Sequence, residues 1–223
     1  MAQRPGVLAF DVNETLLDLS ALDEPFAEIF GDASLRPAWF AQMLQLSFVG
    51  GLTGRYVDFT TAQQAALRMI GARTGVEVDD DGVDAIVGAM RRLPPHPEVA
   101  GALTQLRDAG HRQVALTNSP LAVARAQLEN AELDGLFEQM LSADEVRELK
   151  PAPRPYQLVA ERTGVTIGEV MLVAAHAWDV AGALAAGARA AFIARPGMVL
   201  SPIGDQPEIV AGDLAELADR LAR

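Results

Sequence analysis

Short apolar runs alternate with longer stretches of helical periodicity over much of the chain. Four of these runs are rich in apolar residues at consecutive positions, which is typical of strands buried on both faces of a parallel sheet. They are Gly6 to Phe10, Gln113 to Thr117, Val170 to Ala174 and Ala190 to Ala194. We predict that they form the centre of one parallel sheet.

Amphipathic helical patterns separate these strands from residue 94 onward. They are predicted at Glu98 to Ala109, Leu121 to Ala131, Arg154 to Thr163 and Val180 to Ala186. Three of them end just before Gly110, Gly164 and Gly187, and glycine is a common helix terminator. Alternating strands and helices indicate an α/β fold with a Rossmann-like parallel sheet and functional residues at the C-terminal ends of its strands.

Residues 18–93 break this alternation, because they contain helical patterns and no strand-like run. Helices are predicted at Leu22 to Phe30, Pro37 to Leu52, Thr60 to Thr74 and Asp80 to Arg92, before Leu93-Pro94-Pro95. We therefore predict two domains. A Rossmann-like core comprises residues 1–17 and 94–223, and a helical cap domain comprising residues 18–93 is inserted after the first strand, over the C-terminal edge of the sheet.

Composition narrows the range of partners. The formal net charge is -12 and 50% of the residues are hydrophobic, so we expect a globular protein that binds neither nucleic acid nor an anionic membrane. Cysteine is absent from the sequence, which excludes disulfides, thiolate metal sites and a cysteine nucleophile. The first residues lack a secretory pattern, and polar residues interrupt the most apolar stretch, so we expect a cytoplasmic location.

The candidate chemistry begins at Asp11, which closes the first strand. A carboxylate at the end of a buried strand is partly desolvated and faces the backbone N–H groups of the following turn, although such an acid also often serves as a turn or cap residue. Polar groups follow other predicted strands or their loops at Thr117-Asn118, Lys150 and Asp179. In a parallel sheet these ends converge on one crevice, so we predict that they meet Asp11 there.

Lys150 is the most informative of these residues. It is the single lysine among 18 basic residues, and the others are arginines. A compact ammonium can lie close to one carboxylate in a small space, which a guanidinium fork does less easily. We therefore expect Lys150 to be paired with Asp11 and not exposed to solvent.

These residues resemble the motifs of the haloacid dehalogenase superfamily, and more narrowly those of 2-haloacid dehalogenase type II. The similar segments are Asp11-Val-Asn-Glu-Thr-Leu-Leu-Asp18, Gly54-Arg-Tyr-Val-Asp-Phe59, Lys150-Pro-Ala-Pro-Arg-Pro-Tyr156 and His176-Ala-Trp-Asp179. The resemblance extends over nearly the whole chain. It implies a hydrolase acting on the carbon–halogen bond of a small 2-haloacid, without metal or other cofactor, and a homodimer.

The resemblance also implies residue roles. Asp11 attacks the halogen-bearing carbon and forms an ester, which water hydrolyses. The implied catalytic residues are Asp11, Thr15, Lys150 and Asp179. The implied substrate-binding positions are Thr117, Asn118, Tyr156, His176, Trp178 and Phe40. Asn118 and Trp178 are expected near the departing halide, and Tyr156 and Asp179 are expected to support the lysine and the hydrolytic water.

Two alternatives remain open on sequence alone. A magnesium-dependent phosphatase of the same superfamily normally has a second acid two residues after the nucleophile and two acids in its last motif. Asn13 occupies the first of these positions and Ala175 one of the last two. The site therefore offers too few acidic oxygen ligands for Mg²⁺, and position 13 has no acid to protonate a leaving alkoxide. The other alternative is a catalytically silent member that binds a small anion.

The sequence also departs from the dehalogenase pattern. Phe40 falls where that family has a substrate-binding arginine, and Ala174 and His176 replace its serine and asparagine. Arg36 or Arg55 could supply a substitute cation if the helix were shifted by a turn. His176 could orient water or act as a base, since histidine titrates near neutral pH.

Overall fold

The computed structural model describes residues 4–222 and contains a parallel sheet with strand order β3-β2-β1-β4-β5-β6. Its strands are β1 (Val7–Phe10), β2 (Gln113–Thr117), β3 (Gln139–Ser142), β4 (Val170–Ala174), β5 (Arg189–Ile193) and β6 (Ile209–Ala211). The first strand lies centrally, where Phe10 is in register with Ala115 of β2 and with Val173 of β4. The C-terminal ends of these three strands therefore lie side by side.

Every residue of β1 is buried, and its side chains alternate between two hydrophobic clusters. Leu8 and Phe10 belong to one cluster, whereas Val7 and Ala9 belong to the other. A strand with both faces buried needs helices on both sides of the sheet, which explains its continuous apolar sequence.

Helices connect the strands and form the segment that precedes β2. The helices are α1 (Asp23–Phe30), α2 (Leu35–Leu52), α3 (Phe59–Thr74), α4 (Asp80–Ala89), α5 (Val99–Asp108), α6 (Leu121–Asn130), α7 (Pro153–Thr163), α8 (Ala177–Ala185) and α9 (Leu214–Leu221). Glycines in the left-handed conformation follow several of them, as at Gly75 after α3 and Gly164 after α7. Within residues 4–222, no helix has both the length and the apolar character needed to cross a membrane.

Helices α1 to α4 follow β1 directly and pack on one another through large apolar side chains. Trp39 of α2 is fully buried, contacts the ring of Phe26 of α1, and donates its indole N–H to the Gln63 carbonyl of α3 at 3.1 Å. The buried residues of these helices are continuous with the hydrophobic cluster on one face of the sheet. This placement puts α2 next to the strand ends that carry polar residues.

The α/β fold class is confirmed, and the four predicted strands match observed strands to within one residue at either end. The prediction omitted the two edge strands, β3 and β6, and helix α9. The division into a core domain and a cap domain stays a prediction.

Candidate active site

Asp11 follows the last residue of β1 and is buried, with 5% of its surface exposed. Its backbone N–H donates to the Val173 carbonyl of β4 at 3.0 Å, so the sheet fixes the position of the carboxylate. Lys150 Nζ lies 2.8 Å from Oδ1, and the Thr15 hydroxyl donates to Oδ2 at 2.7 Å. Asp11 therefore has a fixed orientation and a cation in direct contact.

Lys150 is fully buried and uses all three of its N–H donors. Besides Asp11, Nζ contacts Asp179 Oδ2 at 2.6 Å and the Leu116 carbonyl at 3.1 Å. The Asn118 side chain makes two hydrogen bonds to the Lys150 backbone. Its Oδ1 accepts from the Lys150 N–H at 2.8 Å, and its Nδ2 donates to the Lys150 carbonyl at 3.2 Å. The lysine is thus a rigid bridge between two carboxylates.

Asp179, in the first turn of α8, is fully buried behind Lys150. Its second oxygen accepts a hydrogen bond of 2.6 Å from the Tyr156 hydroxyl of α7. Close approach of α7 to α8 depends on Gly182, where an added Cβ would lie 2.5 Å from Pro151 Cβ and 2.6 Å from Tyr156 Oη. A small residue in α8 is therefore needed for the tyrosine to reach the aspartate.

Burial and charge act against each other on these groups. Burial by itself would raise the pKa of Asp11, but the charges and hydrogen bonds of Lys150 and His176 outweigh it and hold that pKa well below its usual range. Burial would lower the pKa of Lys150, but its two carboxylate partners raise it. Burial and then the nearby Asp11 raise the pKa of Asp179. Asp11 is thus ionised and the lysine protonated at neutral pH.

The turn after Asp11 places Thr15 and Glu14. Thr15 Oγ1 donates to Asp11 and accepts the backbone N–H of Ala175, at the end of β4, at 2.9 Å. Glu14 has a φ of 62°, a left-handed conformation that glutamate rarely adopts. Its N–H donates to the Leu17 carbonyl at 2.9 Å and its carbonyl lies 3.1 Å from His96 Nε2, which together hold the turn.

His176 is buried between two carboxylates, just before α8. Its Nδ1 is 3.2 Å from Asp11 Oδ2, and its Nε2 is 2.7 Å from Glu14 Oε2. Burial lowers the pKa of an imidazole, but the hydrogen bonds and charges of these two acids raise the pKa of His176 to about 9. A second cation therefore lies against Asp11 at neutral pH.

Aromatic rings close the site over this charged cluster. Phe40 of α2 stacks on the His176 ring at a centroid distance of 5.7 Å, and the Trp178 ring is tilted against the same imidazole at a centroid distance of 5.2 Å. Together with Phe59 they line a cavity of about 10 Å³ that also touches Asp11 and Lys150. Such a volume accommodates about one water molecule. A substrate larger than this enters only if the aromatic side chains or the helices that carry them shift.

Two more of the predicted substrate-binding positions lie at this cavity, whereas Tyr156 contacts Asp179 and is not part of the cavity wall. Thr117 and Asn118, at the end of β2, form part of its wall. Asn13 lines it too and lies within hydrogen-bonding distance of Ser119 and Gln127. Among residues 4–222, no group of three histidine or acidic side chains is arranged to hold a metal ion.

Neither arginine considered as a substitute cation contacts the nucleophile. Arg36 pairs with Asp23 at 2.6 Å and approaches Glu14 at 3.9 Å, whereas Arg55 is exposed at the surface. Within the described residues, the charged groups seen in direct contact with the Asp11 carboxylate are Lys150 and His176.

Sequence reasoning did not assign a role to Glu14 or to Arg195. Arg195 is buried, donates to the Thr15 carbonyl at 2.8 Å and pairs with Glu98 at 2.5 Å, so it braces the turn that carries the nucleophile. Glu14 lies within the first recognised motif, but its contact with His176 depends on a left-handed backbone that sequence periodicity does not reveal. Phe59, the last residue of a motif that resembles the family's, has no role predicted from sequence and forms part of the cavity wall.

Comparisons with known proteins agree with this geometry. The model of a family described as haloacid dehalogenase-like hydrolase matches residues 6–187. An (S)-2-haloacid dehalogenase of Pseudomonas fluorescens is 28% identical over 215 residues, covering 95% of this chain and 94% of the relative. Haloacetate dehalogenase H-2 of Moraxella sp. (strain B) is 30% identical over 203 residues, covering 90% and 91%.

A solved structure of a haloacid dehalogenase is also similar to this chain over nearly its full length. L-2-haloacid dehalogenase from Xanthobacter autotrophicus, with chloropropionic acid covalently bound, superposes with a TM-score of 0.90 at 27% identity, covering 96% of this chain and 97% of that one. The similarity thus extends over the α-helical segment after β1 as well as over the sheet.

Proposed function

The chain belongs to the haloacid dehalogenase-like hydrolase family, as its motifs predicted, and on that premise we propose that it is a metal-independent hydrolytic dehalogenase of small 2-haloacids. The relatives that it matches over nearly its full length act on haloacids by name. In this reaction the Asp11 carboxylate displaces halide from the substrate carbon to form an ester, and water then hydrolyses that ester.

The observation that carries the proposal is the buried pair of Asp11 and Lys150. At 2.8 Å the ammonium keeps the carboxylate ionised in a cavity with little room for water, so the nucleophile is oriented and poorly solvated. Asn13 stands where a phosphatase has its second acid, and halide leaves without needing a proton. Both features suit displacement of halide better than transfer of phosphate.

The surrounding residues have complementary roles in the proposed reaction. Thr15 and Lys150 orient Asp11, and Asp179 with Tyr156 holds the lysine. Attack inverts the substrate carbon, breaks the carbon–halogen bond and leaves one Asp11 oxygen on that carbon.

Halide and substrate carboxylate need different surroundings. Asn118 and Trp178 border the cavity, and the Trp178 indole N–H is buried with no hydrogen-bond partner within residues 4–222, which makes it a free donor for halide. Thr117 offers a hydroxyl to the carboxylate. Phe40 contributes an aromatic wall against which a short alkyl substituent packs.

The proposal includes a cellular setting and an assembly. We expect residues 18–93 to act as a cap that opens to admit the substrate, since the closed cavity is smaller than any 2-haloacid. We also expect a cytoplasmic homodimer, with a small molecule as its substrate and without nucleic acid or membrane partners.

The test is halide release from each enantiomer of 2-chloropropionate and 2-bromopropionate in the presence of EDTA. We expect turnover by the wild-type protein and none by Asp11→Asn, which has no charged nucleophile. Single turnover in heavy-oxygen water is expected to place label in Asp11, because water attacks the carbonyl carbon of the ester. Magnesium-dependent release of p-nitrophenol from its phosphate, or no turnover of any of these compounds, would refute the proposal.

A further inference from the structure

His176 is held between two acids in a way that fixes its protonation. Both ring nitrogens face carboxylate oxygens, Nδ1 at 3.2 Å from Asp11 and Nε2 at 2.7 Å from Glu14. An ionised carboxylate only accepts hydrogen bonds, and a neutral imidazole has one N–H donor. Two hydrogen bonds to two ionised carboxylates therefore require a proton on both nitrogens, and His176 is an imidazolium in the resting site.

We propose that His176 is the general base for hydrolysis of the Asp11 ester, that Glu14 positions it, and that ester formation itself converts His176 from an imidazolium into that base. This inference rests on the proposed dehalogenase function. It adds a group that activates water, and a reason why that group becomes basic only after halide has left.

The charges around His176 explain the conversion. Asp11 and Glu14 contact its ring, Arg36 of α2 lies 3.9 Å from Glu14, and Lys150 and Asp179 lie beyond Asp11. In the resting site, Lys150 and His176 are cations that contact the Asp11 carboxylate from two sides. The ester removes the negative charge of Asp11, so an imidazolium would leave the buried cluster with an excess positive charge. The pKa of His176, about 9 beside both acids, falls when one of those acids becomes neutral.

Atoms and protons balance over the cycle. Carboxylate attack forms the carbon–oxygen bond and breaks the carbon–halogen bond, and His176 then releases its Nδ1 proton to solvent as the halide departs. Neutral Nδ1 accepts a proton from the water that attacks the Asp11 carbonyl carbon. As the bond between that carbon and the substrate oxygen breaks, His176 returns this proton to the departing 2-hydroxy acid. The carboxylic acid formed on Asp11 protonates His176 again, and each turnover releases one proton and one halide.

The geometry suits a water held at this point. Asp11 and His176 border the same cavity of about 10 Å³, with room for about one water molecule. Phe40 packs against the imidazole in a nearly parallel orientation, with an interplanar angle of 17°. Glu14 accepts from Nε2 throughout, so Nδ1 is the nitrogen that exchanges the proton. Its left-handed backbone, with a φ of 62°, brings its side chain to the ring.

The test separates ester formation from ester hydrolysis. Wild-type protein, His176→Phe and Glu14→Gln are mixed with 2-bromopropionate, quenched at intervals, and assayed for free halide and for the protein ester by intact mass. Phenylalanine keeps an aromatic ring beside Phe40 but has no nitrogen to accept a proton, whereas asparagine would restore the residue expected in the family. His111→Phe is the matched control, because His111 is also a buried histidine but contacts the Leu221 carbonyl outside the site.

We expect His176→Phe to release about one halide per site and then accumulate the ester, whose lifetime lengthens by about 10²- to 10⁴-fold, the usual contribution of a general base. In Glu14→Gln the hydrolysis rate falls less, and its pH profile shifts to lower pH because His176 has lost its second acid. Circular dichroism of each variant establishes folding, and if His176→Phe does not fold, the shifted pH profile of Glu14→Gln decides.

The outcomes distinguish this inference from the function on which it rests. An unchanged ester lifetime in His176→Phe, or slower ester formation alone, would overturn the role of His176. So would an unshifted pH profile in Glu14→Gln. Absence of both halide and ester from the wild-type reaction would refute the proposed function itself.

Discussion

Raising the pH from 6.5 to 9 is expected to destabilise the native state through His176. The native pKa of this residue is about 9, against 6.5 for an unperturbed histidine, because two carboxylates favour the imidazolium despite its burial. Below pH 6.5 both the folded and unfolded chains bind the proton, and the stabilisation is fully present. Between 6.5 and 9 the unfolded chain loses the proton first, so the stabilisation decreases and is lost as the pH passes the native value.

The magnitude follows from the size of the shift. At about 1.4 kcal/mol per pKa unit, the difference between 6.5 and about 9 corresponds to about 3 kcal/mol of unfolding free energy. For a chain of 223 residues, this is a change of about 1 M in the urea midpoint.

The assay is urea unfolding of the wild-type protein and of His176→Asn at half-unit intervals from pH 6 to 10. The difference between their unfolding free energies isolates the histidine from other titrating groups. His111→Asn is the control: burial lowers the pKa of His111, so that residue affects stability only below pH 6.5 and leaves the slope above it unchanged. An equal decline in His176→Asn and wild type would refute the reasoning.

Two further predictions concern the groups that hold the nucleophile. Lys150→Met removes the cation between Asp11 and Asp179, so that Asp179 loses its ion pair and Asp11 keeps only His176. We therefore expect a loss of about 3–5 kcal/mol at pH 7, measured by urea unfolding, together with loss of halide release. Gly182→Ala places a methyl group 2.5 Å from Pro151 and 2.6 Å from the Tyr156 hydroxyl, so we expect a cost of about 1–3 kcal/mol and reduced turnover. The matched change Gly101→Ala in α5 has no atom within 4 Å of the new methyl group and is expected to leave turnover unchanged; equal effects at the two glycines would contradict the packing argument.

The pattern of apolar residues was sufficient for the centre of the sheet and insufficient for its edges. The four central strands are buried on both faces and read as continuous apolar runs. The edge strand β3 begins at half-buried Gln139 and Met140, and β6 contains three residues. The apolar pattern of either strand therefore cannot be distinguished from that of a loop. Helix α9 carried a usable signal, with an Asp213 N-cap followed by apolar residues at Leu214, Leu217, Ala218 and Leu221.

Part of the candidate site could likewise be predicted from sequence and part of it could not. Asp11, Lys150 and Asp179 could be grouped from sequence because each follows a strand or lies in a loop at the same edge of the sheet. The pairing of Glu14 with His176 could not be predicted from sequence. It depends on the left-handed backbone conformation at Glu14 and on the direction in which the Glu14 side chain leaves that turn. The stacking of Phe40 on His176 depends on how α2 packs over the sheet, which periodicity along one helix does not specify.

The contacts of Asp11 imply that its reactivity comes from position and not from basicity. A carboxylate has about four acceptor positions, and Lys150, Thr15 and His176 occupy three of them at 2.7–3.2 Å. Those donors stabilise the anion, which weakens it as a base and, by the same interaction, as a nucleophile. Rate enhancement must therefore come from holding the one free position against the substrate carbon in a cavity nearly without water. Lys150 and Thr15 remain donors in the second step, where they are useful because a carbonyl that accepts hydrogen bonds is more open to attack by water. The site is thus better adapted to hydrolysing the ester than to forming it, and this asymmetry is what a base created by ester formation would exploit.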